Sequence, residues 1–362
     1  MIYFTGLETP SKNTAGAKAP ADIVALCRKR GYQYIPIFAP NAKYKNAKLR
    51  KLITIFEGRR YWKEVSRKLA AGDVLIYQHP VFGWISGMKA IPKLKNRGVK
   101  FVALIHDLES LRKGIAGVVE TSEKISERKD VDFLKLFDII ICHNEKMKQY
   151  MLTKGFRNEQ LVVLGIFDYL TDCPLSSRTA DRKNSVNIAG NLAIAKCGYV
   201  YAMSNQESAG ELTIHLYGIN FNEEIKNPEL KYHGSFKPEE LPEKMEGGFG
   251  VVWDGNSADS CIGNTGEYLK YNNPHKFSLY IASGLPVIIW EKAALADFVR
   301  ENHIGFTVAS LKETKERLCR LSDQEYADMC ENAGKLSALV RSGHFFYNAL
   351  DEALERLHMR TD

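Results

Sequence analysis

The 362-residue sequence predicts an α/β protein built from two doubly wound domains. Three observations carry that expectation. Short β-branched or apolar runs alternate with longer helical patterns through the first half, the signature of a parallel sheet covered on both faces. A polar stretch, Ser176 to Asn184, interrupts the pattern, after which the same alternation restarts. The length exceeds one ordinary domain and suits two, and a composition of 45% hydrophobic and 26% charged residues fits globular cores rather than disorder.

In chain order, the first domain (1–175) is expected to place strands at Ile2–Thr5, Gln33–Phe38, Val74–Tyr77, Lys100–Ile105, Ile139–Cys142 and Leu161–Leu164. Helical patterns separate them at Ala21–Arg30, Tyr61–Leu69 and Glu145–Thr153. Residues 176–185 read as a linker. The second domain (186–335) repeats the scheme with strands at Val186–Ala189, Leu212–Tyr217, Phe249–Trp253, Pro286–Trp290 and Phe306–Val308. Its clearest helices are His275–Ser283 and Ala293–Glu301. Residues 336–362 read as C-terminal helices, with apolar residues at helical spacing from Phe345 to His358. There is no internal repeat.

Several function classes are disfavoured. No apolar run reaches about 18 residues, so no spanning helix is expected. The start, Met1-Ile2-Tyr3-Phe4-Thr5-Gly6, reads as a strand and a turn rather than a signal peptide, which predicts a cytoplasmic protein. The seven cysteines are never closer than 11 positions, so no CxxC metal or redox pair exists and reduced thiols are expected. Residues 1–170 hold 30 Lys+Arg against 16 Asp+Glu (+14), and the remainder 20 against 27 (−7). Much of the basic excess lies between Lys43 and Lys68. A solvated helical face explains such a run, and so does peripheral contact with an anionic membrane; no nucleic-acid module accompanies it.

Ligands of doubly wound domains bind where strand C-termini meet helix N-termini, so the loops after strands hold the motifs of interest. Val186-Asn187-Ile188-Ala189-Gly190-Asn191 is a strand ending in Gly-Asn, where exposed amides can meet phosphate oxygen. It is no dinucleotide fingerprint, because no G-x-G-x-x-G lies between a strand and a helix. Asn272-Asn273-Pro274-His275-Lys276-Phe277-Ser278 predicts a helix capped by Asn273-Pro274, with proline at its first position. His275, Lys276 and Ser278 fall in its first turn, where a cation opposes the helix dipole unless an anion occupies that end. Phe101–Ile105 delivers His106, Asp107 and Glu109 to a strand end, either as an acid–base site or as an Asp that caps the next helix. Trp253-Asp254-Gly255-Asn256 opens another strand end, where Asp254 and Asn256 hold sugar hydroxyls or simply form the turn. Asp130-Val131-Asp132 matches a metal-binding DxD, but it follows the charged helical stretch Glu127-Arg128-Lys129, and it is set aside as a metal site.

Asn272–Tyr280, Gly284-Leu285-Pro286-Val287-Ile288, Ala293–Phe298, Trp253-Asp254-Gly255, Ala189–Leu192, Ile105-His106-Asp107 and Ile166–Leu170 together resemble bacterial O-antigen β-1,6-galactofuranosyltransferases. A more distant likeness is to glucosyltransferases that extend glycans on streptococcal adhesins. The resemblance implies a GT-B fold, two Rossmann-like domains facing across a cleft, with 336–362 packing back on the N-terminal, acceptor-side domain. It implies a UDP-galactofuranose donor held by the C-terminal domain, no cofactor or metal, and inverting transfer to a glycan acceptor, lipid-linked at the inner membrane face. Donor-binding positions are then Gly190, Asn191, Lys196, Phe236, Asn273, His275, Lys276 and Ser278, with Asp254, Asn256 and Tyr268 as sugar-binding candidates. The chain departs from the adhesin enzymes twice: Ile194 stands where they carry Arg, leaving Lys196 to substitute, and Phe236 stands where they carry Tyr. The base, implied to lie in the N-terminal domain, is assigned to Asp107, with Glu109 in reserve and His106 beside them. Alternatives are another UDP-hexose transferase, such as a glucosyltransferase, or a catalytically inactive sugar-binding partner.

Overall fold

A computed structural model describes residues 1–7, 15–37, 47–80, 84–114, 130–175, 179–204 and 212–358. The chain divides into two compact units. The first comprises Met1–Pro10, Ala19–Leu164 and Phe346–Asp362; the second comprises Ser11–Lys18 and Gly165–Phe345.

The first unit is built on β1 (Ile2–Leu7), α1 (Ala15–Lys29), β2 (Gln33–Ile37), α2 (Ala47–Lys68), β3 (Val74–His79), α3 (Trp84–Lys95), β4 (Lys100–Ile105), α4 (Glu109–Gly114), β5 (Ile139–Cys142), α5 (Glu145–Thr153) and β6 (Leu161–Val163). All its strands are parallel, in the order β2-β1-β3-β4-β5-β6. β3 and β5 are buried along their whole length, which is why β5 and Val74–Tyr77 of β3 read as continuous apolar runs, while β3 extends two buried polar residues further, through Gln78 and His79. α3 carries Gly87 and Pro92 in its interior, and these breakers hide it from a periodicity reading.

The second unit holds β7 (Ser185–Asn191), α6 (Ile194–Ser204), β8 (Thr213–Ile219), β9 (Leu230–Tyr232), α7 (Leu241–Lys244), β10 (Phe249–Val252), α8 (Gly263–Tyr268), α9 (His275–Ala282), β11 (Val287–Trp290), α10 (Ala296–Glu301), β12 (Gly305–Val308), α11 (Thr314–Arg320) and α12 (Asp323–Ser342). Its strands are also all parallel, in the order β12-β11-β10-β7-β8-β9. β9 escapes a sequence reading because it is a three-residue edge strand with no buried residue. The last helix, α13 (His344–His358), returns to the first unit. There Tyr347 Oη donates to the Leu26 carbonyl (3.1 Å) and Arg356 to that of Leu161 (3.1 Å).

The chain leaves the first unit at Leu164, ahead of the polar stretch read as the linker. The reason is local: Ile166, Phe167 and Tyr169 are buried, and the Tyr169 amide donates to Val340 of α12 (3.0 Å). That segment is therefore core of the second unit. No described helix is long and apolar enough to cross a membrane.

Candidate functional site

Counted from β7, the second sheet runs 3-2-1-4-5-6, so the strand order reverses between β7 and β10. Ligands of open α/β sheets bind outside the carboxyl ends of strands at that reversal. Gly190 and Asn191 end β7 there, and Trp253 to Asn256 follow β10 there.

α9 lies on β10 at van der Waals distance. A Cβ on Gly250 would fall 2.1 Å from the Tyr280 ring, so only glycine admits this packing. In return the Tyr280 hydroxyl accepts from the Ala189 amide (2.9 Å), tying α9 to β7. The helix start is thereby fixed beside both strand ends. Lys276 Nζ donates to the Trp253 carbonyl (2.7 Å) and to Asp254 Oδ1 (3.1 Å). Both side chains are largely covered, Lys276 at 17% exposure and Asp254 at 15%.

Gly190 has φ +133°, and a Cβ on it would meet open space; its neighbour Gly218 could not carry one, since it would lie 1.7 Å from the Gly190 carbonyl oxygen. The β7 end is thus bare backbone. Asn191 Oδ1 accepts from the Ala193 amide (3.1 Å) and from Asn220 Nδ2 (3.0 Å), shaping the turn into α6. Lys196 is exposed in the first turn of α6, which is interrupted at Cys197 (φ −127°, ψ 30°). Burial raises the Cys197 thiol to about 11, and Lys276, Asp254 and Lys196 all lie within electrostatic reach of it. Two lysines from different helices therefore gather at one strand-end cluster.

The other expected residues have the following surroundings. Pro274, not Asn273, takes the N-cap position of α9, and His275 is its first helical residue. Asn273 is buried and donates through Nδ2 to the Gly165 carbonyl (2.9 Å), so it anchors the 165 segment instead of capping the helix. His275 keeps part of its surface open, but its ring packs on Phe167 (4.6 Å between centroids), and burial pushes its pKa down to about 4. Ser278 and Tyr268 are buried among core residues. Asn256 is exposed, its backbone packed beneath Gly198 of α6. Phe236 lies against Tyr217 of β8, with centroids 6.3 Å apart.

In the first unit, β4 ends at Ile105 and the chain turns at once into α4. His106 Nε2 pairs with Gln78 Oε1 (2.6 Å), and Gln78 donates through Nε2 to the Thr5 carbonyl (2.9 Å). Asp107 and Glu109 converge on one guanidinium: Arg112 lies 3.6 Å from Asp107 and donates to Glu109. One residue from Gln78, His79 Nε2 pairs with buried Asp130, whose Oδ2 accepts from the Ser110 amide (3.2 Å). Burial opposes ionisation of Asp130, yet the His79 and Ser110 bonds hold its pKa below the usual carboxylate value. Asp130 is the first carboxylate of the DxD. Residues 130–134 are helical, and Asp132 is exposed while Asp130 points into the unit, so the two do not converge on one ion. Nothing in the residue pattern pointed to the His79–Asp130 pair, because its members are 51 positions apart.

Residues 1–166 match the family described as glucosyltransferase 3-like, N-terminal domain, and residues 186–353 its C-terminal domain. The β-1,6-galactofuranosyltransferase WbbI of Escherichia coli K12 is 33% identical over 99% of this chain and 100% of its own length. The chain belongs to this family of bacterial glycosyltransferases. Glucosyltransferase 3 of Streptococcus gordonii is a further relative, 29% identical over 80% of the chain and 84% of its own. Among solved structures, the sucrose-phosphate synthase of Thermosynechococcus elongatus superposes with a TM-score of 0.63 at 12% identity, covering 100% of this chain and 99% of that one. The lipopolysaccharide outer core galactosyltransferase WaaB gives 0.59 at 9%, covering 98% and 99%. These neighbours establish the GT-B fold of the glycosyltransferase, with its two Rossmann-like domains.

Proposed function

We propose that this glycosyltransferase moves galactofuranose from UDP-galactofuranose to a sugar hydroxyl of an O-antigen-type surface polysaccharide, with inversion at the anomeric carbon. The observation that carries the reading is the 33% identity to WbbI, which extends over 99% of the chain rather than over one motif. In this reading the donor pyrophosphate sits where β7, β10 and α9 converge. Lys276, Lys196 and the first amides of α9 meet its charge as it leaves, so no metal is needed. Asp107 accepts the acceptor proton, and Arg112 orients it. His106 is held by Gln78 for contact with a substrate.

The acceptor in this proposal is lipid-linked, and α2 supplies the membrane contact. Leu52 and Phe56 are each 66% exposed, and exposed Arg60, Lys63 and Arg67 continue the same helical stripe at spacings of four, three and four. Two apolar anchors followed by a basic run suit an anionic bilayer surface. Residues 43–46 of the patch lie outside the described residues.

A second reading, glucosyl transfer, is favoured by the family match itself and by the S. gordonii relative. A donor screen decides between them: UDP-galactofuranose and UDP-glucose are each offered with a set of hexoside acceptors, with product mass and linkage read out. Transfer from UDP-glucose alone overturns the galactofuranose assignment.

A further inference from the structure

Away from the reversal point, the second sheet presents a cluster that the transfer reaction does not use. His215 and Tyr217 lie two apart on β8, so their side chains project from the same face. β9 runs parallel beside it, with His215 opposite Lys231 and Leu216 opposite Tyr232. Continuing that register by one residue places His233 opposite Tyr217. The rings confirm the shared face: His233 stacks on Tyr217 (4.7 Å, 8°) and on His215 (5.2 Å, 21°).

The third member arrives from the loop before β10. Asn187 of β7, on the same face, donates through Nδ2 to the Gly247 carbonyl (2.9 Å) and accepts the Gly247 amide on Oδ1 (2.9 Å). The Glu246 amide donates to the Tyr217 hydroxyl (3.0 Å). Two buried polar anchors thus hold the backbone of Glu246 over the histidine pair. Its carboxylate oxygens stand 3.7 Å from His215 Nδ1 and 3.7 Å from His233 Nδ1. His215 Nδ1 and His233 Nε2 are 2.9 Å apart.

We propose that His215, His233 and Glu246 form a binding site for a divalent transition-metal ion such as Zn²⁺. Each residue offers one donor atom, and these atoms all lie within 4.8 Å of one another. Ligands about 2.0–2.1 Å from a tetrahedral ion stand roughly 3.3 Å from each other, between the 2.9 Å and 3.7 Å seen here. An ion would replace the proton that the two imidazoles share and draw the carboxylate inward by a rotamer change. The donor set selects the class: two imidazole nitrogens and one carboxylate suit Zn²⁺, Co²⁺ or Ni²⁺ and not Mg²⁺ or Ca²⁺, which favour oxygen ligands. Exposure rises outward, from 7% at the His215 side chain through 22% at His233 to 60% at Glu246, so the ion has an entry path and a fourth position for water. Lys231 and Arg182 also act on His215 electrostatically and oppose added positive charge, which weakens binding.

The ion would cross-link β8, the residue after β9 and the 245–248 loop, and so fasten the edge of the sheet from which the chain runs on to Phe236. Its role is structural and independent of the pyrophosphate chemistry.

The test uses the full chain, stripped with EDTA and dialysed, titrated calorimetrically with ZnCl₂ at pH 7.5. One saturable equivalent is expected, with thermal stability rising by about 5 °C or more at a hundredfold excess over Kd. Mg²⁺ at the same concentration should give neither effect. Because His215 is buried and its loss could disturb the fold, the decisive variants are His233→Gln and Glu246→Gln. The first should abolish the equivalent, the second weaken it at least about tenfold. Absence of saturable Zn²⁺ binding to the wild-type chain, or equal affinity in His233→Gln, overturns the site.

Discussion

Replacing Lys276 with alanine separates the ion pair that the structure shows from the anion contact that the proposal adds. Its ammonium bonds the Trp253 carbonyl and Asp254 and stands at the start of α9, where the proposal places the donor pyrophosphate. A charge-assisted hydrogen bond to phosphate contributes about 1.5–3 kcal/mol, so kcat/KM should fall roughly 10- to 150-fold and UDP should bind more weakly. A first-turn lysine read from sequence alone would leave the fold untouched. The geometry says otherwise, because Asp254 is mostly covered and loses its partner. An unpaired covered carboxylate costs on the order of 1–3 kcal/mol, which lowers Tm by about 2–12 °C in a unit of this size. The assay must therefore pair UDP titration and single-turnover transfer with a melting curve, all well below the new Tm. Lys276→Met combined with Asp254→Asn removes the stranded charge, so it should recover much of the stability and none of the UDP affinity. If turnover returns together with stability in that double variant, the lysine only holds Asp254 and the anion site lies elsewhere. Normal UDP binding in Lys276→Ala refutes the assignment outright.

Four other outcomes follow from the same structure. Asp107→Asn should lower kcat about 10²- to 10⁴-fold with UDP affinity nearly unchanged, measured by initial rates and calorimetry; normal rates there with collapse in Glu109→Gln would shift the base by two residues. Transfer should persist in EDTA, and a rate restored only by Mg²⁺ or Mn²⁺ would contradict the metal-free reading. Co-sedimentation should show salt-sensitive binding to anionic but not neutral vesicles, weakened in Phe56→Ser and in Lys63→Glu, since exposed charges are screened beyond about 8 Å at physiological salt. His275 is held neutral with its pKa near 4, below the ordinary 6.5. The unfolded chain takes up that proton first, so the stability His275 contributes is complete above about pH 6.5 and declines toward pH 4. His275→Gln should flatten that acid limb of Tm against pH, and an unchanged slope would refute the burial argument.

The predicted strands were recovered where burial is complete on both faces. Lys100–Ile105 and Ile139–Cys142 have the bounds expected from their apolar runs, because such runs have few other stable states. Glu145–Thr153 was equally legible, and Asn144 caps it through its side chain. Elements whose existence depends on neighbours were not. β9 is held by β8, the interrupted α6 packs Gly198 against Asn256, and α3 tolerates Gly87 and Pro92 inside it. The positions of Gly190, Asn191, Asp254 and Lys276 at strand ends and a helix start were legible because such patterns are local. The burial of Ser278 and Tyr268 was not legible, since the pattern gives a position along a helix without the side of it that faces the sheet.

By itself the sequence determined the class of fold, two parallel α/β domains, and the strand ends at which chemistry is expected, because both follow from hydrophobic period and local turn chemistry. Tertiary structure decided which partners those positions meet. It turned Asn273 from a cap into an anchor for the 165 segment and gave Lys276 an ion-pair partner 22 residues away. It also joined His79 to Asp130 and assembled His215, His233 and Glu246 from three separate segments. Such pairings are set by strand order and register, and these in turn by which apolar faces can be buried together. That is a property of the whole packed sheet, which no window of the chain contains.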